Sequence, residues 1–223
     1  MSGNAGSSAI VSTFPLRASD RAFALLQERI LDLRLPPGSP INEQALAEEL
    51  ELGRMPVREA LARLASANFV TILPRRGTVV SVLSLDDIIA MFEAREAIEC
   101  GVAFIVAQRA TDADLTALRA LVETANRARE LSDQESYLRD DYAIHAFLIQ
   151  MVRNSWLQAA AENLLRHNLR FWRTYWVSRP AQQATMISHA ELLEALETHN
   201  PQAAEIAMRH HLEVSRHLLQ ASF

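Results

Sequence analysis

The sequence lacks the features that mark several classes of protein. Its 223 residues include a single cysteine, Cys100, so no internal disulfide can form and a reducing compartment is expected. No apolar run approaches the roughly 20 residues that a membrane-spanning helix needs. The amino-terminal residues have neither a basic start nor a sustained apolar stretch, which argues against a secretory signal peptide. We therefore expect a cytoplasmic protein without a membrane partner.

Lysine is absent too, and all 22 basic side chains are arginine. The 27 acidic residues bring the net charge to -5, which argues against indiscriminate binding of nucleic acid. The charge is uneven, because residues 1–82 hold nine arginines and eight acids whereas residues 83–223 hold thirteen arginines and nineteen acids. Any basic contact to a phosphate or a base must then come from a planar guanidinium, which can pair through two N–H groups at once.

The first third of the chain predicts a small mixed domain behind a disordered leader. Residues 1–18 are rich in Ser, Gly and Ala and show no helical period. From Ser19, an N-cap candidate, helical periodicity runs to the Pro-Pro-Gly cluster at 36–38. The further predicted elements are helices at 42–50 and 55–67 and strands at 69–73 and 78–82. Residues 19–82 are therefore expected to form a winged helix-turn-helix with a small β-hairpin wing.

Residues 83–223 show only helical periodicity. Capping residues and prolines divide them into six predicted helices at 85–109, 112–130, 134–152, 155–177, 183–198 and 201–220. Short connections between helices of this length are typical of an antiparallel bundle. The predicted fold class is therefore mainly α, with a winged helix-turn-helix followed by an all-α antiparallel helical bundle.

The third predicted helix carries a candidate DNA-reading face. Arg54 and Arg58 lie four residues apart, which places both on one side of the helix, opposite its apolar residues. In a helix-turn-helix this helix lies in the major groove, where an arginine can bind O6 and N7 of guanine. Arg75 and Arg76 at the tip of the predicted wing suit a phosphate or minor-groove contact. For these residues alone, a solvated basic face is an equally good interpretation.

Residues 20–82 as a whole closely resemble the signature of GntR-family transcription regulators of bacteria. The most specific part is the segment Pro-Val-Arg-Glu-Ala-Leu at 56–61. The matching residues are Pro37, Gly38, Glu43, Leu46, Ala47, Arg54, Pro56, Val57, Arg58, Glu59, Ala60, Leu61, Leu64, Arg76 and Gly77. The resemblance implies that Arg54 and Arg58 read bases and that Gly77 contacts DNA at the minor groove.

Three residues depart from the family pattern. Glu51 stands where glycine is usual, and Gly53 stands where Ser or Thr usually caps the recognition helix. Gln44 stands where arginine is frequent, so one phosphate or base contact is expected to be altered. We therefore expect the fold to follow the family more closely than the operator sequence does.

Four polar residues of the helical region fall on apolar stripes, where an unpaired polar group is costly. Asp141 and His145 lie one turn apart on the third helix of this region, and His189 and His211 lie on the fifth and sixth. A single buried histidine is more often a hydrogen-bonded core residue than a ligand. Four candidates on three helices indicate a divalent metal site, and three nitrogens with one oxygen suit zinc, nickel or another first-row metal.

Residues 85–219 resemble the FCD ligand-binding domain of the FadR branch of the GntR family. The landmarks are Arg95 with Glu99, Gln108 to Thr111, Asp141 to His145, Asn154, His189 to Leu196, Ala207-Met208 and His211-Leu212. All four metal positions of the family are present, and six helices after the linker resemble its VanR-like subgroup. The resemblance implies a bound carboxylate metabolite, with Arg95 as its partner or in a structural ion pair. His167 is predicted either to line the effector cavity or to be a plain core residue.

The function expected from these features is transcription regulation. The leading hypothesis is a homodimeric repressor, or less often an activator, that binds a palindromic double-stranded operator and responds to a small organic acid. The alternative is a metal-dependent enzyme fused to a DNA-binding domain, since a metal with open coordination positions can activate water. The sequence shows no convincing general base beside these ligands, which argues against that alternative. A third interpretation makes the metal a brace for the bundle without any sensing.

Overall fold

The computed structural model describes residues 17–178 and 186–220. The predicted disordered leader lies outside these residues except for its last two positions. The predicted fold class is confirmed, because a winged helix-turn-helix module with a small sheet comes first and an all-α bundle follows. No helix in the described part of the chain is long and apolar enough to cross a membrane.

The first module places three helices against a three-stranded antiparallel sheet. Its elements are α1 (Ala18–Leu31), β1 (Pro40–Ile41), α2 (Glu43–Glu49), α3 (Arg54–Ser66), β2 (Val70–Leu73) and β3 (Gly77–Val80). The strand order is β1-β3-β2, and the β2–β3 hairpin is the wing. Strand β1 is not predicted, because two residues are too few to show an alternating pattern. It forms by pairing with β3, where Pro40 lies opposite Val79.

One apolar core holds these elements together. Phe69, at the junction of α3 and β2, is fully buried. The other buried core residues are Ala22, Leu26, Ile30, Ile41, Leu46, Ala47, Leu50, Val57, Ala60, Leu61, Leu64, Val70 and Val80. Burial of a large apolar side chain contributes about 1.5–3 kcal/mol. The core therefore holds α3 with its polar face directed outward.

Two helix starts in this module differ in how they are capped. Helix α1 begins at Ala18, so the prediction of Ser19 as its N-cap is wrong. The carbonyl of Arg17 accepts the first helical hydrogen bonds, and no side chain caps this end. Helix α2 has a side-chain cap, because Oδ1 of Asn42 accepts bonds from the N–H groups of Gln44 and Ala45.

The second module is a bundle of six helices within the described residues. They are α4 (Leu85–Arg109), α5 (Asp112–Glu130), α6 (Gln134–Met151), α7 (Ser155–Ser178), α8 (Ala190–Glu197) and α9 (Pro201–Gln220). Helices α4 and α5 begin at capping boxes, formed by Ser84 with Asp87 and by Thr111 with Asp114. Helix α4 lies at the centre, where it packs against α6, α7, α8 and α9. Polar residues of α4 are thereby placed deep inside the bundle.

One predicted helix is shorter in the structure. The range 183–198 is predicted to be helical, but 186–189 are not helical, and the first three residues of the range lie outside those described. The hydroxyl of Tyr137 on α6 donates to the carbonyl of Ile187 and accepts from its N–H. These backbone groups are therefore not free to continue a helix. As a result His189 occupies the N-cap position of α8 and not a helical stripe.

Candidate metal centre and nucleic-acid interface

Four buried side chains converge inside the bundle, and they are the four predicted as metal ligands. Helix α6 supplies Asp141 and His145, the start of α8 supplies His189, and α9 supplies His211. Nε2 of His145 lies 3.3 Å from Nε2 of His189 and 3.3 Å from Nε2 of His211. The Oδ1 atom of Asp141 lies 3.4 to 4.0 Å from these three nitrogens. The structure thus brings the whole predicted set together.

The spacing of these atoms fits a divalent cation. Zinc binds imidazole nitrogen at about 2.0–2.1 Å in tetrahedral geometry, which places two such nitrogens about 3.3 Å apart. This is the separation found here. A neutral imidazole has one lone pair, so Nε2 of His145 can accept a good hydrogen bond from only one of the two nitrogens that face it. A cation accepts all of these lone pairs, so three nitrogens and one carboxylate oxygen fit a first-row divalent metal.

The electrostatics of the cluster favour the same ligand forms. Burial lowers the pKa of His189 and of His211 well below 6.5, and the charge of His145 acts in the same direction. Burial also raises the pKa of Asp141, although the charges of His145 and Arg95 oppose it. Each change reflects the loss of solvation of a charged form. The buried imidazoles at 189 and 211 are thus neutral, as metal ligation requires.

A buried carboxylate on α4 sets the orientation of His145. Oε2 of Glu99 lies 2.6 Å from Nδ1 of His145, and Glu99 also accepts bonds of 2.6 and 3.3 Å from Arg95. This partner selects the tautomer with a proton on Nδ1, which leaves the Nε2 lone pair for a metal. Burial opposes ionisation of Glu99, but the charges of Arg95 and His145 hold its pKa well below the usual range. Sequence analysis misses this role, although the four-residue spacing of Arg95 and Glu99 on a buried face is a usable signal.

A small cavity adjoins the four ligands. Its volume is about 20 Å³, which is room for about one water molecule. It is lined by Arg95, Tyr137, Leu138, Asp141, Asn168, Trp172, Trp176, Ile187, His211 and Ser215. Arg95, a predicted effector residue, therefore reaches both Glu99 and this cavity. Asn168, Trp172 and Trp176 repeat every four residues, so one face of α7 forms a wall of the cavity; this role is not predicted from the sequence.

His167 is not among the residues that line this cavity, and its role beside an effector stays a prediction. Its ring stacks on Phe69 with centroids 4.1 Å apart, and its Nε2 lies 2.8 Å from the carbonyl oxygen of Ala67. Successive residues of a helix are turned by about 100°, so His167 and Asn168 face different neighbours. Burial lowers the pKa of His167 to about 4, which leaves a neutral ring that donates from Nε2 to Ala67. His167 belongs to the contact between the two modules.

The predicted base-reading arginines lie on the exposed face of α3. Nη2 of Arg54 donates to Oε1 of Gln44 on α2 at 3.2 Å, so these two predicted contacts adjoin each other. Arg58 has a side chain that is 70% exposed and lies 3.4 Å from a carboxylate oxygen of Glu43. An ion pair this exposed contributes little, about 0–1 kcal/mol. The guanidinium of Arg58 can therefore leave Glu43 for a base or a phosphate.

The turns around α3 show what two departures from the family pattern cost. Glu51 has a φ of 53°, a left-handed conformation that favours glycine, so the side chain here adds strain. Gly53 is the N-cap of α3 and offers no side-chain bond. In the wing, Arg75 and Gly77 also have positive φ angles, of 61° and 91°, and both are exposed with Arg76. The wing tip thus presents two guanidinium groups to solvent.

Comparisons with known proteins match the first module and the helical bundle to two different families of domains. Residues 18–80 match the family of bacterial regulatory proteins called the gntR family, and residues 90–214 match the FCD domain. The HTH-type transcriptional repressor RspR of Escherichia coli (strain K12) is 27% identical over 197 residues, which cover 87% of this chain and 86% of the relative. The Nta operon transcriptional regulator of Aminobacter aminovorans is 29% identical over 160 residues, with 72% and 74% covered.

The solved structures give the same fold. Escherichia coli McbR/YncC superposes with a TM-score of 0.79 and covers 93% of this chain and 99% of its own, at 20% sequence identity. At this level of identity the similarity concerns the fold alone. The relatives named above are transcription regulators.

Proposed function

The chain belongs to the GntR family of bacterial transcription regulators and carries an FCD domain, and from this we propose that it is a repressor controlled by a carboxylate metabolite bound beside a metal. Like its relatives, it is a DNA-binding regulator and not an enzyme. One observation carries the proposal: a buried four-ligand cluster adjoins a cavity lined by an arginine, in a chain that also exposes a DNA-reading helix.

For the DNA contact, we assign base reading to Arg54 and Arg58 and a supporting contact to Gln44. Both arginines lie on the exposed face of α3, and the bond from Arg54 to Gln44 orients its guanidinium. Arg75 and Arg76, with the exposed Gly77 beside them, are assigned to phosphate or minor-groove contacts of the wing. A bidentate arginine–guanine contact contributes about 1–3 kcal/mol of discrimination.

For the metal, Asp141, His145, His189 and His211 are the proposed ligands, and zinc is the proposed ion, with nickel or another first-row metal as the alternative. Four protein ligands complete a tetrahedral ion, so a carboxylate oxygen of the effector would reach the metal only if its coordination expanded beyond four. Glu99 holds His145 in the ligating tautomer through the 2.6 Å contact at Nδ1. Burial keeps His189 and His211 neutral before a metal arrives, so binding these two ligands releases few protons.

For the effector, the chemistry of the cavity favours a small carboxylate. The bonds to Glu99 use Nε and Nη2 of Arg95, so Nη1 is available to donate to a second carboxylate. Asn168 adds a buried amide whose Oδ1, an acceptor without a partner among the described residues, suits a hydroxyl group of the acid and not its carboxylate. A volume of about 20 Å³ is too small for an organic acid, so binding must move at least one lining side chain. We propose that this movement is the signal.

A homodimer is part of the proposal. One winged helix-turn-helix contacts few base pairs, whereas two copies related by a two-fold axis match a palindromic operator. The apparent DNA affinity should therefore depend on protein concentration in the range where dimers dissociate.

The DNA assignment is tested by in vitro selection of duplexes from a random pool with the full chain, followed by affinity measurements on the selected site. Arg58→Ala should weaken specific binding by about 1–3 kcal/mol per protomer. The matched control is Arg63→Met on the same helix, because Arg63 pairs with Asp20 and lies over Phe23. Unchanged affinity in the Arg58 variant, at unchanged helical content, would remove the assignment.

A further inference from the structure

Helix α7 contacts both functional parts of the molecule. One face, formed by Asn168, Trp172 and Trp176, lines the cavity beside the four ligands. The adjoining face meets the winged helix-turn-helix module, where α7 packs against α1. No other helix of the described bundle is seen to donate a side-chain hydrogen bond to the first module.

Three side chains of this second face donate to backbone carbonyls of the DNA-binding module. Nε2 of His167 lies 2.8 Å from the carbonyl oxygen of Ala67, the C-cap residue of α3. Nη1 of Arg173 donates at 3.0 Å to the carbonyl of Leu31, the last residue of α1. Nη1 of Arg170 lies 3.4 Å from the carbonyl of Phe69, next to β2. The carbonyls of Leu31 and Ala67 lie at helix ends, where they have no partner within the helix, and the cationic Arg173 suits this end of the helix dipole.

Some polar groups in this contact between α7 and the first module lack hydrogen-bond partners. Arg170 is 1% exposed, and its Nε and Nη2 have no hydrogen-bond partner among the described residues. Its guanidinium lies 5.5 Å from the Phe69 ring centroid, and no carboxylate of the described residues pairs with it. Nδ1 of His167 is also buried without a partner. A buried cation without a counter-ion is costly. The docked arrangement is therefore less stable than it would be with these groups paired.

We propose that α7 couples the cavity to the DNA-reading helix, and that His167, Arg170 and Arg173 are the positioning residues of this coupling. The inference rests on the proposed function, because it takes the cavity as the sensing site. A change at Asn168 or Trp172 moves α7 as a rigid helix. The three donors, which lie one or two residues from these positions, then shift against the ends of α1 and α3. The orientation of α3 toward DNA changes with them.

The test is hydrogen–deuterium exchange of the full chain with and without zinc as the probe. In the wild type, zinc should slow exchange in α6 and α9 and change the exchange of residues 64–73 by at least about fivefold, the lower end of typical coupling between sites. In the double variant His167→Leu with Arg170→Met, the response of 64–73 should fall below about twofold while that of α6 and α9 remains.

Two further variants separate coupling from simple loss of structure. His167→Gln keeps a donor for Ala67 and should retain more of the response than His167→Leu. Arg166→Met is the matched control, because Arg166 pairs with Glu162 on α7 itself and should respond as the wild type does. A full response in the double variant would overturn the proposal, as would a wild type that binds zinc without any change at 64–73. Absence of zinc protection in α6 and α9 would instead overturn the proposed metal site, and the coupling with it.

Discussion

The contact between Glu99 and His145 makes a quantitative prediction about metal affinity. Replacing Glu99 by Gln removes the negative charge that accepts the Nδ1 proton of His145 at 2.6 Å. Loss of such a partner behind a ligating histidine typically weakens metal binding 10–100-fold, or about 1.4–2.7 kcal/mol. The zinc affinity of Glu99→Gln, measured by competition with a chromophoric chelator, should fall within this range.

The same substitution also leaves Arg95 buried without its carboxylate. Arg95 and Glu99 are 2% and 3% exposed, and removing one partner of a pair this buried costs about 3–5 kcal/mol of folding stability. The second variant, Arg95→Met with Glu99→Gln, removes the orphaned charge and should recover much of that stability. It should not recover the zinc affinity, because the partner of His145 is still missing.

Glu96→Gln provides the matched control. Glu96 lies on the same helix but pairs with Arg209 at a partly exposed position. This variant should bind zinc as the wild type does. If Glu99→Gln binds zinc with wild-type affinity while it is folded, the role assigned to Glu99 is refuted.

Two further predictions concern stability. Glu51→Gly should raise the free energy of unfolding by about 1 kcal/mol, since it relieves a left-handed conformation at φ 53°, and chemical denaturation would measure this; an unchanged or lower value would contradict the strain. The pKa of His167 is about 4 in the folded chain and 6.5 when unperturbed, so between these values the unfolded chain binds a proton that the folded chain does not. The free energy of unfolding should therefore fall as the pH falls from 6.5 to 4, by up to about 3 kcal/mol from His167. Burial is the main cause, and the charge of Arg170 beside it also disfavours the protonated ring. His167→Gln should lose this part of the dependence in acid-unfolding experiments, and a wild-type pH profile in that variant would contradict it.

The sequence predicts the helices best where their ends are set locally. Helices α4 and α5 have the predicted bounds because Ser84 and Thr111 form capping boxes with residues three positions away. The start of α8 is wrong because Tyr137, distant in sequence, bonds the backbone of Ile187. A contact of that kind leaves no trace in the local periodicity.

The site residues show the same contrast between what local sequence sets and what distant contacts set. Asp141 and His145 can be found from their spacing on one helix, and the structure brings His189 and His211 to them. His167 has the same apolar surroundings in sequence, yet its ring meets Phe69 of the other module. Helical periodicity shows that a side chain is buried, but it does not show which neighbouring element buries it.

The central claim is that the buried ligand cluster controls DNA binding. Its most direct test is the affinity of the full chain for a selected operator at fixed zinc concentration, measured by fluorescence anisotropy across a panel of small organic acids. We predict that at least one acid changes the dissociation constant fivefold or more. The double variant Asp141→Asn with His145→Ala should bind the operator and ignore that acid. An equal response in the double variant, or operator binding that no acid alters in the wild type, would contradict the account.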